Sequence, residues 1–148
     1  MIKGQRQPSK SLNVESGGQL TPNRQVLLDA INSRLPQPVR RPGLVVVCGL
    51  PGTGKTTFAR RLAQRLPLAI LESDELRQTL FTNRAYTRHE NAELFGAIHD
   101  LVGFLLDENI SVLVDATNLQ QKHRNPLYRI AEDRGKWVSV VHLVAPID

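Results

Sequence analysis

The chain has 148 residues, of which 41% are hydrophobic, and its formal net charge is +5. This length suits one compact domain. No apolar stretch reaches the roughly 20 residues that span a bilayer, and the N-terminus lacks the apolar segment of a signal peptide. The single cysteine, Cys48, excludes an internal disulfide and is typical of a reducing compartment, so we expect a cytoplasmic protein without a membrane segment.

The positive charge belongs to the N-terminal part of the chain. Residues 1–43 contain seven Lys or Arg and two Asp or Glu, whereas residues 44–148 contain twelve of each. The larger part is therefore neutral, and the net charge does not indicate that it faces a polyanion. We favour a solvated basic tail over a nucleic-acid-binding arm as the origin of the charge.

Three segments follow one another along the chain. Residues 1–20 are rich in Gln, Ser, Gly and Lys and predict a disordered basic leader. Thr21 and Pro22 are typical of a helix start, and the apolar spacing after them predicts a short helix over about 23–35 that docks on the core or on a partner. A proline-rich linker then reaches residue 43. Residues 44–148 are the expected core domain.

The most specific motif is the sequence GLPGTGKT at residues 49–56, directly after the apolar run 44–48. It matches the phosphate-binding loop, in which glycines bring backbone amides close to phosphates, the lysine reaches the outer phosphates and the hydroxyl ligates magnesium. Helical spacing over 57–66 predicts that the loop opens onto a helix N-terminus, which favours an anion. The motif predicts a site for ATP and Mg²⁺ whose contacts are Gly49, Pro51, Gly52, Thr53, Gly54, Lys55, Thr56 and Thr57. No Asn is followed by Lys, so the NKxD signature for guanine is missing and ATP is favoured over GTP.

The remaining elements alternate in type. Apolar runs predict strands at 44–48, 68–71, 111–114 and 137–144. Thr87 to Glu90 form a capping box that opens a long helix, in which Gly96 and Gly103 indicate close packing against a neighbour. A last helix is predicted over about 121–132. The alternation predicts an α/β fold of the P-loop NTPase type: a three-layer sandwich with about four mostly parallel strands and helices on both faces.

Polar residues follow two further strands, at the edge where such sheets bind ligands. Asp74 and Arg77 share one face of a helix that begins near Ser73. This pair can serve phosphoryl transfer, with the carboxylate deprotonating an acceptor hydroxyl and the guanidinium steadying the acceptor or the phosphoryl group. The alternative is a surface ion pair. Asp115 follows the strand 111–114, as expected of the second magnesium-associated element.

Other polar residues carry weaker signals. Thr117 and Asn118 could hydrogen-bond a substrate or the phosphates, although a turn into the next helix explains Asn118 equally well. The four histidines show no metal-ligand spacing. Aromatic residues are too sparse for an extended base-stacking platform, which weakens a polynucleotide acceptor without excluding it.

Four motifs in order carry a family resemblance: GLPGTGKTT at 49–57, SDELR at 73–77, VDATN at 114–118 and VVHLVAP at 140–146. From residue 44 to 146 the chain resembles the P-loop ATP-dependent kinases grouped around polynucleotide kinase and the zeta-toxin-like kinases, an AAA-type kinase domain. The resemblance implies that Lys55 and Thr56 hold phosphates and magnesium and that Asp74 is the general base, with Arg77 nearby. It places Asp115 at the magnesium, directly or through water.

The resemblance raises two further points. Arg124 matches a basic position common in such sequences, with a solvent-exposed helix arginine as the alternative. Members of the family continue into an arginine-bearing lid helix and a further strand, whereas this chain stops at Asp148. We therefore expect a core that lacks its lid and turns over poorly.

The expected function is an ATP-dependent kinase that moves the γ-phosphoryl group of Mg-ATP to an acceptor hydroxyl, on a small metabolite or a polynucleotide 5′ end. One alternative is a non-catalytic ATP-binding module that regulates a partner docked through the helix near 23–35. Another is an ATPase that uses water as the acceptor.

Overall fold

The computed structural model describes residues 21–50, 52–115 and 121–144. The predicted leader, Pro51, Thr117, Asn118 and the end of the fourth motif lie outside these residues. The described strands are β1 (Gly43–Cys48), β2 (Leu68–Glu72), β3 (Ser111–Asp115) and β4 (Trp137–His142). The described helices are α1 (Pro22–Ile31), α2 (Lys55–Arg65), α3 (Ser73–Leu80), α4 (Arg88–Asp107) and α5 (Gln121–Asp133), with a 3₁₀ turn at Asn32–Arg34.

The four strands form one parallel sheet in the order β2-β3-β1-β4. Every residue of β1 and β3 is buried, as expected of central parallel strands with both faces covered. Asp115 stands beside Val47 of β1 on one side and beside Glu72 of β2 on the other. The carboxyl ends of three strands therefore meet at one level of one edge.

Helices cover both faces of the sheet, which confirms the three-layer α/β fold. On one face, α1, α3, α4 and α5 pack on alternate strand residues through a core that includes Leu27, Leu76, Leu101, Val112 and Leu127. On the other face, Ala59 of α2 packs with Val45, Val47 and Leu113. Because successive side chains of a strand point to opposite faces, Val112 and Leu113 enter different cores. In the described ranges no helix combines the length and apolarity needed to cross a membrane.

Two helix starts agree with their sequence signals and one detail differs. α1 begins at Pro22 and buries Leu27, Leu28 and Ile31 in the core. Thr87 caps α4, because its hydroxyl accepts a hydrogen bond from the Glu90 amide at 3.2 Å. The Glu90 carboxylate does not complete the capping box at Thr87 but accepts hydrogen bonds from the amides of Ala85 and Tyr86. The box is thus only half formed.

The two glycines of α4 have different surroundings. A Cβ atom at Gly103 would lie 2.8 Å from Nη2 of Arg134, whose guanidinium binds the Asp107 carboxylate and the carbonyl oxygen of Ile130. A Cβ atom at Gly96 would meet no described atom within 4 Å, and Gly96 is exposed. The prediction of close packing is confirmed for Gly103 and wrong for Gly96, which faces away from the core.

This difference predicts opposite effects of the same substitution. Gly96→Ala should raise the free energy of unfolding by about 1 kcal/mol, because alanine restricts the unfolded chain and favours the helix. Gly103→Ala should give no such gain, since the new methyl group must displace the Arg134 guanidinium from its partners. Urea denaturation of both variants checks this, and a destabilised Gly96→Ala would show that an unrecognised neighbour occupies the space beside it.

Candidate active site

The phosphate-binding loop begins where β1 ends. A Cβ atom at Gly49 would lie 2.7 Å from the Leu143 carbonyl oxygen and 2.9 Å from the Thr53 hydroxyl, so only glycine fits there. Gly54, with φ of +86°, is the residue before α2 and has the left-handed conformation that glycine adopts without strain. These two glycines turn the chain from the end of β1 into the first turn of α2.

Hydrogen bonds to one carbonyl group hold the loop together. The amide and hydroxyl of Thr53 donate to the Leu50 carbonyl oxygen at 3.3 and 2.7 Å, and the Lys55 ammonium donates to the same oxygen at 3.3 Å. The Lys55 side chain is held within the site, because the residue is only 7% exposed. An ammonium group has three donors. The N–H groups of Lys55 that do not bind the Leu50 oxygen can donate to phosphate oxygens at the N-terminus of α2. The helix dipole also favours an anion there.

Thr56 and Asp115 form the junction between the loop and β3. The Thr56 hydroxyl donates to Oδ2 of Asp115 at 3.2 Å, and Asp115 is 3% exposed. Burial raises the pKa of Asp115, opposed by the Thr56 hydrogen bond and the Lys55 charge. A buried carboxylate beside a hydroxyl is a pair of hard oxygen donors, and Mg²⁺ is usually bound by one or two carboxylates together with phosphate oxygens. Thr56 and Asp115 thus fit the ion that the sequence predicted.

Glu72 is a second carboxylate at this edge and was not predicted as a site residue. It is half-buried beside Asp115, and its pKa is raised by burial and then by the charges of Asp115 and Glu75. The signal was present, since Glu72 ends β2 in the way that Asp115 ends β3. Arg60 of α2 was also missed, although its charge lowers the pKa of both carboxylates. It lies four residues after Thr56 and so on the same helix face.

Asp74 is brought to the same edge of the sheet but has a different environment. It is exposed in the first turn of α3, and its charge contributes to the raised pKa of both Glu72 and Asp115. The site therefore contains the buried carboxylate of Asp115, the half-buried carboxylate of Glu72 and the exposed carboxylate of Asp74. A carboxylate that must meet an incoming acceptor has to be accessible, and Asp74 is the member of the cluster that is exposed.

Arg77 lies one turn after Asp74, but the side chains that accept its hydrogen bonds belong to α4. Its guanidinium donates to Oε1 of Glu90 at 2.8 Å and to Oδ1 of Asn91 at 2.7 Å, and the residue is 6% exposed. It also stacks on the ring of Tyr86, 4.5 Å from the ring centroid. The alternative of a surface ion pair is wrong, because the guanidinium is buried. A part for Arg77 in catalysis stays a prediction, and the contacts show that it joins α3 to α4.

The remaining candidate residues lie around the loop. Arg124 of α5 is half-buried, with Nη1 3.9 Å from the Cys48 sulfur at the end of β1. Its Nε is buried without a hydrogen-bond partner among the described residues. Arg124 is therefore not a solvent-exposed helix arginine and approaches the strand that leads into the loop. Thr57 is exposed in the first turn of α2, and Gly52 is exposed within the loop.

A parallel sheet, a glycine loop that opens onto a helix, and a Thr–Asp junction at the next strand define a P-loop nucleotide-binding protein. Residues 44–148 match the AAA domain family. The chain belongs to this family, which confirms the family resemblance drawn from its four motifs.

Relatives and solved structures agree with this assignment. The chain is similar to the adenylyl-sulfate kinase of Myxococcus xanthus, with 29% identity over 68% of this chain and 56% of that protein. It is also similar to the L-seryl-tRNA(Sec) kinase of Methanococcus maripaludis, with 28% identity over 71% of this chain and 42% of that protein. The Pnkp1/Rnl/Hen1 complex contains the same fold, with a TM-score of 0.63 and 22% identity over 74% of this chain and 38% of that chain. The chain thus spans about half the length of the curated relatives.

The Glu90 ion pair predicts how stability depends on pH. The hydrogen bond from Arg77, followed by the amides of Ala85 and Tyr86, lowers the pKa of Glu90 below its ordinary value of 4.5. A carboxylate with a lowered pKa stabilises the fold above its ordinary value, and this contribution disappears as the pH falls through the lowered value. Glu90→Gln should therefore reduce the free energy of unfolding at pH 7, and its difference from the unsubstituted protein should shrink below about pH 4.5.

Urea denaturation between pH 3 and 8 measures this difference. Glu132→Gln, on the exposed surface of α5, is the matched control and should show little effect at any pH. A difference between Glu90→Gln and the unsubstituted protein that is the same at pH 3 and pH 7 would contradict the ion-pair explanation.

Proposed function

We propose that the chain is the core of an ATP-dependent phosphotransferase that moves the γ-phosphoryl group of Mg-ATP to an acceptor hydroxyl. The observation that carries the proposal is the division among the carboxylates: Asp115 is buried and bonded to Thr56, whereas Asp74 is exposed at the same edge. Membership of the AAA domain family and similarity to two proteins named as kinases support it.

The residues around the loop have separable tasks in this reaction. The acceptor oxygen attacks the γ-phosphorus with a lone pair, and the bond to the bridging β–γ oxygen breaks, leaving its electron pair on ADP. Asp74 takes the acceptor proton. Lys55, the loop amides and the N-terminus of α2 offset the charge of the phosphates. Thr56 and Asp115 would hold Mg²⁺, which neutralises phosphate charge and orients the triphosphate. Half-buried Glu72 stands beside Asp115, and the charge of the exposed Arg60 lowers the pKa of both carboxylates.

The sequence left two alternatives, a regulatory ATP-binding module that docks a partner and an ATPase, and the structure argues against the first. The apolar face of α1 is buried against the protein's own core, so this face is not available to dock a partner. The exposure of Asp74 also supports an ATPase, because water can reach this carboxylate as readily as an alcohol can. Phosphate release without any added acceptor would identify that activity. The acceptor is a small metabolite or a polynucleotide 5′ end.

Asp74→Asn tests the general base. It should lower kcat for transfer by at least about 10²-fold, because the carboxylate that takes the proton is lost, while the Kd for ATP stays nearly unchanged. The measurements are transfer of labelled phosphate from ATP to a panel of alcohols by the full-length protein, and ATP binding by calorimetry. Glu75→Gln is the matched control, since Glu75 is the exposed neighbour that pairs with Arg34. Equal losses of transfer and ATP affinity in Asp74→Asn would refute the assignment.

Asp115→Asn tests the proposed magnesium site. With Mg²⁺ present it should weaken ATP binding about tenfold or more, because the replacement removes the charge that holds the ion. With excess chelator, the variant and the unsubstituted protein should bind ATP equally. Calorimetric titration under both conditions makes the comparison, and an equal loss with and without Mg²⁺ would show that Asp115 acts on the nucleotide or the fold instead.

A further inference from the structure

The connection between α3 and α4, residues 81–87, lies at the same edge of the sheet as the phosphate-binding loop. α4 leads into β3 through the short turn 108–110, so its C-terminus lies at the edge where the parallel strands begin. A helix of 20 residues is about 30 Å long. α4 packs beside β3 and therefore returns its N-terminus toward the edge where the strands end. The connection 81–87 therefore lies near the edge of the sheet at which Asp74 is also found.

This connection is held in one conformation by a buried carboxylate. Oε2 of Glu90 accepts hydrogen bonds from the amides of Ala85 at 2.6 Å and Tyr86 at 3.2 Å, while Oε1 accepts from Arg77. Tyr86 has φ of +54°, in the left-handed region that residues other than glycine rarely adopt. Backbone strain of this kind persists where surrounding contacts enforce it, and it is frequent at ligand sites.

Tyr86, whose backbone is held in this way, has an aromatic ring that faces solvent. Tyr86 is 59% exposed, yet the Arg77 guanidinium covers one face of its ring at 4.5 Å. The opposite face is therefore the exposed one. A ring backed by a buried cation and presented to water contributes little to the core. Its geometry suits a planar group that stacks on the free face.

Two arginines flank Tyr86 in the sequence, at the second residue before it and the second residue after it. Both Arg84 and Arg88 are exposed, and in the part of the chain that the structure describes neither is paired with a carboxylate. Glu90, the nearest acidic residue in sequence, is buried against Arg77. An exposed aromatic face on a short connection that also carries two unpaired arginines favours a ligand that is both planar and anionic.

We propose, on the basis of the phosphotransferase function above, that Tyr86, Arg84 and Arg88 bind the nucleobase and phosphate of a nucleotide-type acceptor. The base stacks on the open face of Tyr86 and a phosphate pairs with the two arginines. The Tyr86 ring stacks on Arg77, and Asp74 lies one turn before Arg77 in α3. A nucleotide bound to the ring would therefore have its acceptor hydroxyl on the side of Asp74, the proposed general base. One ring suffices for one base, so the scarcity of aromatic residues in the chain is no obstacle.

The test measures binding to the full-length protein without ATP, so it does not depend on turnover. The probes are adenosine 3′-monophosphate and the matching ribose 3-phosphate without a base. Tyr86→Leu should weaken binding of adenosine 3′-monophosphate about tenfold and leave binding of ribose 3-phosphate and of ATP unchanged. Tyr86→Trp should restore binding, which excludes a fold defect as the cause of the loss.

The contribution of Arg84 and Arg88 is tested with a matched pair of double variants. Arg84→Gln with Arg88→Gln should weaken both probes and flatten the salt dependence of binding. Arg61→Gln with Arg65→Gln removes the same charge from the exposed end of α2 and should change neither. If the α2 pair weakens binding equally, the effect is one of net charge and the proposed site is wrong.

A 5′-hydroxyl tetranucleotide distinguishes the two sources of such an acceptor. Tighter, salt-dependent binding than that of adenosine 3′-monophosphate indicates a polynucleotide end, and equal binding indicates a free nucleotide. Base-free and base-carrying probes that bind equally, or a Tyr86→Leu variant that binds like the unsubstituted protein, would overturn the inference. Tyr86-dependent binding without any transfer from ATP would instead contradict the phosphotransferase function.

Discussion

The parallel register of β1 with β3 is the constraint on which the site depends. It sets Val47 beside Asp115, so the strand that enters the phosphate loop and the strand that carries the carboxylate end at one level. The Thr56 hydroxyl can then reach Asp115 at 3.2 Å. Side chains alternate along a strand, so a slip of one residue would turn Asp115 toward the opposite face. The apolar residues of both strands prevent this slip, since each fits only one of the two cores.

The same register explains why one edge holds carboxylates of different character. Asp115 and Glu72 stand side by side on β3 and β2, and burial raises the pKa of each. The charge of Asp115 raises the pKa of Glu72 further, and the charge of Asp74 raises both. Such an arrangement is unfavourable by itself and becomes favourable when positive charge enters. Lys55 and Arg60 supply part of that charge, and a divalent cation would supply the rest. Asp74, in the first turn of α3, stays in contact with water and is free to meet an acceptor.

Local patterns sufficed for much of this architecture, because their physical causes are local. The glycine loop, the apolar strands and the Thr87 cap are each determined by residues close together in sequence. Partners across the fold could not be predicted in the same way. The spacing of Asp74 and Arg77 indicated a shared helix face, but the guanidinium turns to Glu90 and Asn91 because the packing of α4 brings them within reach. Gly96 and Gly103 look alike in sequence, and only the position of Arg134 separates them.

The Arg77–Glu90 pair therefore has a structural consequence beyond its own energy. α3 has only eight residues, too few for a stable isolated helix, so its orientation depends on tertiary contacts such as buried Leu76 and this ion pair. A buried pair of charges often adds little net stability over apolar residues, but its geometry is demanding. Here one carboxylate fixes the helix that carries Asp74 and, through two amides, the backbone of Tyr86. The proposed base and the proposed acceptor platform thus share one anchor, which sets the distance between them.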